Sequence, residues 1–238
     1  MSTLSDLLIA TQKYQVTIPS TQKKTAFRPF LVKEEKILLL AQEGNDPDNM
    51  VMALQSLVES CVDGIEDASS LPLFDIEYLF LKIRAKSVGE VVNPIIVCPE
   101  TGEEIEISIN LSEIDVKHTK EHKKKVKISD DLIIEMKYPS LGLLKERGTG
   151  IDYTSPSSFY DLIADCIGKI QTKEETIDAK QHTRDEIVSF VDNMTKEQFE
   201  KLLDFFITSP RVEHSVKYTA SDGKEREVVL SGLSDFFG

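Results

Sequence analysis

Two histidines and one cysteine come nearest to a metal site by residue type and spacing. His118 and His122 lie four positions apart in HTKEH, a spacing that places both rings on one face if the segment is helical. The segment lacks the HExxH pattern of zinc proteases and runs into KKKVK, which indicates a solvated charged connector. Cys98 lies in VCPETGEE, a turn shaped like a zinc knuckle, but no second cysteine completes a C-x-x-C pair. The sequence therefore predicts no metal and no cofactor, and Cys98 is interpreted as a small apolar residue of a hairpin.

Motifs for nucleophilic or phosphate chemistry are missing from the sequence. It contains no G-x-S-x-G elbow, no S-x-x-K, no P-loop and no G-x-G-x-x-G fingerprint. The carboxylates Glu103, Glu104 and Glu106 are interpreted as the solvated face of a strand. We therefore predict that the chain is not an enzyme. A hydrolase built from acidic residues that meet in space ranks last, and its signature would be a buried carboxylate cluster in a cleft.

The charge balance disfavours nucleic acid as a partner. The chain carries 28 Lys and Arg against 41 Asp and Glu, a net charge of −13, which repels phosphate at long range. The one basic stretch, KHTKEHKKKVK at 117–127, contains no aromatic side chain on which a base can stack. A degenerate zinc-hairpin module that binds nucleic acid is kept as the alternative function, and stoichiometric zinc would favour it.

Hydrophobic periodicity predicts helices at both ends of the chain and strands in the middle. The predicted helices are 33–43, 50–62, a third helix capped by Asp75, 157–170, 183–191 and 199–208. The last two begin at capping residues, Thr183 and the Thr195 of TKEQ. In the middle, 91–97 and 103–109 alternate around the turn PETG and predict a hairpin, followed by strands at 125–129 and 132–139. A second hairpin, 214–230, turns at SDGK.

These elements predict an α+β fold with helical N-terminal and C-terminal parts and antiparallel β-hairpins in the middle and near the C-terminus. We expect an extended arm at 1–26, a helical and hairpin region at 27–150, and a helical region closed by a hairpin at 151–238. A single continuous domain is the alternative. No apolar run is long enough for a membrane span, the first residues lack the basic region of a secretory signal, and the three scattered cysteines fit a reducing cytosol.

With chemistry disfavoured, the cluster FRPF at 27–30 is interpreted as a docking surface, because aromatic and arginine residues dominate protein-protein hot spots. The competing interpretation is that both phenylalanines fasten the arm to the chain's own core and only Arg28 is exposed. Likewise, Tyr78 is either a contact or a core aromatic, and the terminal DFF either packs on the core or inserts into a partner. The predicted partner-binding residues are Phe27, Arg28, Phe30, Tyr78, Arg84, Lys86, Phe236 and Phe237.

Several stretches, in this order and spacing, together resemble the T4-like phage baseplate hub assembly protein family. They are RPFLVKEEKILLLAQE, CVDGIEDASSLPLFDIEYLFLKIRAKSVGE, the hairpin near Cys98, IEMKYPS and LSGLSDFF, and the densest match is 73–90. The resemblance implies a non-enzymatic assembly factor or structural component of the contractile tail baseplate. Its partners would be other hub or tail proteins, in the host cytoplasm or in the virion baseplate.

The resemblance implies a family that can carry cysteine pairs at the two hairpins, and this sequence departs from that pattern. It keeps Cys98 at the first hairpin and has YTASDG at the second. No zinc site and no catalytic residue is therefore carried over from the resemblance. We also expect the −13 charge to steer the protein toward basic hub components.

Overall fold

The protein is described by a computed structural model that covers residues 11–44, 46–147 and 156–237. Within these residues eight α-helices combine with thirteen short β-strands in small antiparallel sheets. This confirms the predicted α+β class. None of the described helices is long and apolar enough to cross a membrane.

Along the sequence, helices come before and after most of the strands. The helices are α1 (Val32–Glu43), α2 (Pro47–Cys61), α3 (Leu73–Ser87), α4 (Leu141–Arg147), α5 (Pro156–Asp165), α6 (Arg184–Asp192), α7 (Lys196–Thr208) and α8 (Gly232–Phe237). The side chains of Thr183 and Thr195 accept from the third backbone N–H of α6 and α7, and Glu186 and Gln198 complete the capping boxes. Both predicted helix starts are confirmed.

The strands are short and pair antiparallel. They are β1 (Tyr14–Thr17), β2 (Lys24–Phe27), β3 (Val91–Val92), β4 (Ile95–Val97), β5 (Glu104–Glu106), β6 (Ile109–Asn110), β7 (Val116–Lys117), β8 (Lys125–Lys127), β9 (Ile133–Met136), β10 (Ile167–Gln171), β11 (Thr176–Asp178), β12 (Arg211–Thr219) and β13 (Glu225–Ser231). The pairs β1–β2, β3–β6 and β4–β5 are two-stranded, β13-β12-β7 has three strands, and β11-β10-β9-β8 has four.

Both predicted hairpins are present. In the first, Ile96 lies opposite Ile105 and Val92 lies opposite Ile109, so β3–β6 and β4–β5 are two parts of one ladder. The ladder is interrupted at Pro94, which has no N–H to donate. In the second, β12 pairs with β13 from Glu213 to Thr219.

The predicted helix 157–170 is wrong in its second half. Helix α5 ends at Asp165, and β10 begins at Ile167 and pairs with β9. Gly168 lies where the register shifts, and a Cβ there would stand 2.9 Å from the carbonyl oxygen of Glu135. Only glycine permits this close approach of the two backbones. Pairing with β9 therefore outweighs the helix propensity of residues 167–170.

The chain divides into two compact units, Met1–Val116 with Val212–Gly238 (unit 1) and Lys117–Arg211 (unit 2). This division does not follow a boundary near 150, because β9 and β10 pair across that position, with Ile134 opposite Ile170. Residues 14–26 of the expected arm belong to the β1–β2 hairpin, which ends at Phe27, and 1–10 lie outside the described residues.

Unit 2 has its own core beneath the four-stranded sheet. The most deeply buried side chains include Ile134, Met136, Ile163 and Leu202. They come from β9, α5 and α7, so the sheet and the helices share one apolar cluster. The unit therefore has the buried interior that an independent domain requires.

Helix α3 is the centre of unit 1. Ile76, Leu79 and Ile83 on one side of the helix and Leu81 on the opposite side are each at most 2% exposed. A helix with apolar side chains on two opposite sides must be covered on both. The predicted cap, Asp75, is not at the start of the helix, because Pro72 occupies the cap position and the helix begins at Leu73.

Asp75 instead ties α3 to the turn between β1 and β2. Its side chain is fully buried and accepts hydrogen bonds from the backbone N–H of Ser20 at 2.9 Å and from the Ser20 hydroxyl. A buried carboxylate is stable only when such donors replace its water.

We expect Asp75→Ala to lower the free energy of unfolding by about 2 to 4 kcal/mol, because it leaves the Ser20 donors unsatisfied in the interior. Asp63→Ala removes the exposed ion pair with Lys13 and should cost less than about 1 kcal/mol. Urea unfolding of the two variants measures both. Equal losses would show that burial of Asp75 contributes nothing special.

Candidate partner-binding site

Phe27 is part of the core of unit 1. Its side chain is 3% exposed, and its ring lies 5.6 Å from that of Tyr14 between ring centroids. Phe27 also forms an isolated bridge with Val62, and the N–H of Arg28 donates to the carbonyl of Cys61 at 2.9 Å. The segment is thus fastened to the end of α2, as the competing interpretation of FRPF supposed.

Arg28 is committed to the start of α1. Its Nη2 donates to Glu34 Oε1 at 2.9 Å, while the backbone N–H of Leu31 donates to Glu34 Oε2 at 2.7 Å. Burial of Glu34 opposes its ionisation, but the hydrogen bonds from Arg28 and Leu31 prevail, so the pKa of Glu34 lies below its ordinary value. The hydrogen bond with Glu34 raises the pKa of Arg28. This pair fixes the direction in which α1 leaves the loop.

Phe30 is half-buried, and its backbone N–H donates to Ser87 Oγ at 2.9 Å, which joins the loop to the end of α3.

Helix α1 buries few of its side chains. Only Glu34 and Ala41 are buried in this helix, whereas Val32 is 79% exposed, Leu40 56% and Leu39 52%. Leu31, which precedes the helix, and Ile37 are also more than 40% exposed. An apolar face of this kind is typical of a protein-protein contact.

Tyr78 and Lys86 line a small cleft of about 290 Å³ between α3 and the β1–β2 hairpin. The ammonium group of Lys86 lies 5.3 Å from the centre of the Tyr14 ring and pairs with Glu90. Lys82 lies 5.0 Å from the Tyr78 ring and donates to two backbone carbonyls at 2.7 Å. Burial of Tyr78 raises the pKa of its phenol. The cleft is therefore lined by cations that already have partners.

The terminal helix α8 packs on α3. Phe236 is 1% exposed, and the half-buried Phe237 meets Phe80 edge to face at 5.7 Å. Arg84 Cζ lies 4.8 Å from the centre of the Phe237 ring. Phe236, Phe237 and Arg84 line a larger cleft of about 530 Å³, together with residues 91–95.

An arginine joins the turn between β4 and β5 to the turn between β12 and β13. Arg226 donates to both oxygens of Asp222 at 2.8 Å and to Glu100 through Nε at 3.1 Å. The hydrogen bond with Arg226 lowers the pKa of Asp222 to about 2 and also lowers that of Glu100. Glu103 accepts from the N–H of Ser221 at 2.7 Å. The acidic residues of the first hairpin thus hold the second one.

Cys98 lies at the same junction. It is buried, and hydrogen bonds from Thr101 lower the pKa of its thiol to about 7, with a contribution from the Tyr218 hydroxyl. Within the part of the chain that the structure describes, no three His, Cys, Asp or Glu side chains are placed to hold a metal ion.

The two histidines of HTKEH do not share a helical face, since this segment is irregular. His122 is half-buried in unit 2, where its ring nitrogens lie 2.9 Å from Thr208 Oγ1 and from the Tyr138 hydroxyl, and its ring stacks on Tyr138. Burial lowers its pKa. His122 is thus a packing residue of unit 2.

The family model described as T4 bacteriophage base plate protein matches residues 11–238. The chain belongs to this family. No curated protein and no solved structure matches it.

The eight predicted contact residues of this baseplate protein have different environments. Phe27 and Phe236 are core residues, Arg28 is occupied by Glu34, and Phe30 is a half-buried link to α3. Tyr78 and Lys86 line the small cleft, and Arg84 and Phe237 line the large one. Contact of these residues with a partner stays a prediction. The exposed apolar residues of α1 are not among the predicted contact residues, because a helical repeat in the sequence does not show which face is covered.

Phe236 and Phe237 of the baseplate protein offer a direct comparison of adjacent aromatics. We expect Phe236→Ala to lower the free energy of unfolding by about 3 to 5 kcal/mol, since it empties a fully buried site. Phe237→Ala, which removes a half-buried ring, should cost about 1 to 2 kcal/mol. Thermal and denaturant unfolding measure both losses. A larger loss for Phe237 than for Phe236 would contradict the packing of α8.

Glu77 on α3 predicts a pH-dependent stability. Burial raises the pKa of its carboxyl from 4.5 to about 7, and its Oε1 lies 3.6 Å from the place of a Cβ at Gly232. Between these two pH values the unfolded chain ionises Glu77 while the folded chain keeps it protonated. Stability therefore falls as pH rises through this window, and the loss is complete above pH 7.

Glu77→Gln should therefore stabilise the baseplate protein at pH 8, by up to about 3 kcal/mol, and change little at pH 4. Urea unfolding at several pH values measures the difference, and Glu66→Gln, at an exposed position, is the control. A variant that is no more stable than the wild type at pH 8 would contradict the burial of this carboxyl.

Proposed function

We propose that this baseplate protein is a non-enzymatic assembly factor or structural component of the baseplate hub, acting through contacts with other hub or tail proteins. The observation that carries the proposal is the match of the base plate protein family over residues 11–238. A virion component of this kind works by binding its neighbours. Its site of assembly would be the cytoplasm of the infected host.

The distribution of apolar surface supports a binding role. Helix α1 buries only two side chains and exposes Val32, Leu39 and Leu40 by more than half. Leaving such side chains in water is unfavourable by about 25 cal/mol per Å² of apolar surface. A complex in which a partner covers them is therefore stabilised. Val32 and Leu39 are seven residues apart and share one side of α1, on which Glu35 and Lys36 lie between them.

The partners of three carboxylates support a structural role for these side chains. Glu34 is held by Arg28 and Leu31, Asp75 is held by Ser20, and Asp222 is held by Arg226. Each of these side chains fixes a loop or a turn in place. A hydrolase of the kind considered above would instead require several carboxylates close together in a cleft.

Affinity purification of the tagged full-length protein from infected cells, followed by mass spectrometry, tests this function. We expect other baseplate proteins to be recovered, and Leu39→Ser to reduce their recovery about fivefold or more because it removes an exposed apolar contact. Ile207→Ser, at a 65% exposed position of α7 in unit 2, is the matched control and should retain full recovery.

Two results would contradict the proposal. One is the recovery of nucleic acid with stoichiometric zinc and no tail proteins, which would favour the zinc-hairpin module. The other is a chain that folds, as circular dichroism shows, and recovers no baseplate protein at any stage of infection.

A further inference from the structure

The large cleft of unit 1 combines one cation with apolar walls. It has a volume of about 530 Å³ and is lined by Arg84, residues 91–95, Phe236 and Phe237. Apart from Asn93, the side chains from the strand region are valine, proline and isoleucine. Ligand-binding sites usually have this composition, with a few polar groups that orient the ligand.

Arg84 enters the cleft with unused hydrogen-bonding capacity. One face of its guanidinium is covered by Phe237, whose ring centre lies 4.8 Å from Cζ. Its Nη1 is buried and finds no hydrogen-bond partner among residues 11–44, 46–147 and 156–237. Burial lowers the pKa of Arg84. A buried donor without an acceptor costs free energy, and a carboxylate is the acceptor that matches a guanidinium best.

The stretch 88–97, from which residues 91–95 line the cleft, carries several exposed apolar side chains and is here called its rim. The exposed fractions of the side chains are 60% for Val88, 59% for Val91, 65% for Ile95 and 62% for Val97. Strand β3 pairs with β6 and β4 pairs with β5, and in the described sheets each has its other edge free. A free strand edge with alternating apolar side chains is a template for an added strand.

We propose that this cleft binds an extended segment of another baseplate protein, in which an Asp or Glu side chain pairs with Arg84 and apolar side chains on either side cover the rim. The inference rests on the proposed function and names the chemistry of the partner at one site. The rim extends to both sides of Asn93, with Val88 and Val91 before it and Ile95 and Val97 after it. A segment that runs through covers both halves, whereas a chain terminus in the cleft leaves one half in water.

The carboxylate can be trapped by chemical crosslinking. Arg84→Lys keeps the positive charge and places a primary amine in the cleft. A carbodiimide activates a carboxylate that touches this amine, and the amine displaces the urea to form an amide bond. The tagged full-length variant is treated with the carbodiimide after purification from infected cells. Mass spectrometry then identifies which residue is joined to position 84.

We expect a crosslink from position 84 to an internal Asp or Glu of another baseplate protein, in a segment with apolar neighbours. The wild-type chain has no amine at this position and is the negative control. Arg84→Met should reduce recovery of that same partner about tenfold or more, because its carboxylate then loses its counter-charge. Lys24→Met, which removes one charge from the exposed end of β2, should leave recovery unchanged. A thermal melt checks that both variants fold, and the crosslink remains decisive if Arg84→Met does not.

Other outcomes overturn the inference in distinguishable ways. If baseplate proteins are recovered with Arg84→Met as with the wild type and no crosslink forms at position 84, this cleft is not the site and the proposed function stands. A crosslink to a C-terminal carboxylate, of a partner or of this chain's own Gly238, overturns the assigned occupant. If the wild type recovers no baseplate protein, the proposed function fails and this inference fails with it.

Discussion

Helix α3 buries apolar side chains on two opposite sides, so elements of unit 1 have to cover both of them. Ile76, Leu79 and Ile83 lie on one side and Leu81 on the other. Hydrogen bonds at the two ends of α3 determine which segments pack there. Ser20 reaches Asp75 near the start of the helix, and Ser87 receives the N–H of Phe30 at its end. The apolar helix supplies the free energy of packing, and these hydrogen bonds supply the specificity. The aromatic end of α8 completes the cover and, in doing so, creates the cleft around Arg84.

Several charged side chains in unit 1 have structural partners, and Arg84 does not share this arrangement. Glu34, Asp75 and Arg226 are fixed by partners within the chain, and each of them holds a loop, a turn or a helix start in place. Arg84 differs, because its Nη1 is buried without an acceptor in the described part of the chain. A fold tolerates such a group where a ligand or partner supplies the missing acceptor. The proposed contact with a baseplate neighbour follows from this contrast and from the apolar rim beside Arg84.

Local sequence signals predicted local structure well. Thr183 and Thr195 start their helices, and the hairpins around PETG and SDGK form as their turn residues indicate. The errors came from contacts distant in sequence. Residues 167–171 form a strand because they pair with β9. Asp75 can be buried because Ser20, fifty-five positions away in the sequence, donates hydrogen bonds to it. Arg84 and Phe237 are two of the predicted contact residues that line the large cleft, and their contact with a partner stays a prediction. The shape of the cleft could not be predicted, since it needs α3, the first hairpin and α8 together.

Hydrogen exchange of the free protein and of the protein assembled with its baseplate partners tests the central claim, that the strand edge and α8 around Arg84 form a surface for a neighbour. The account predicts that amides of residues 88–97 and 232–237 gain protection on assembly, while those in the centre of α3 are already slow in the free protein and change little. If assembly protects other parts of the chain and leaves 88–97 and 232–237 exchanging as in the free protein, the partner binds elsewhere and the account of the cleft is contradicted.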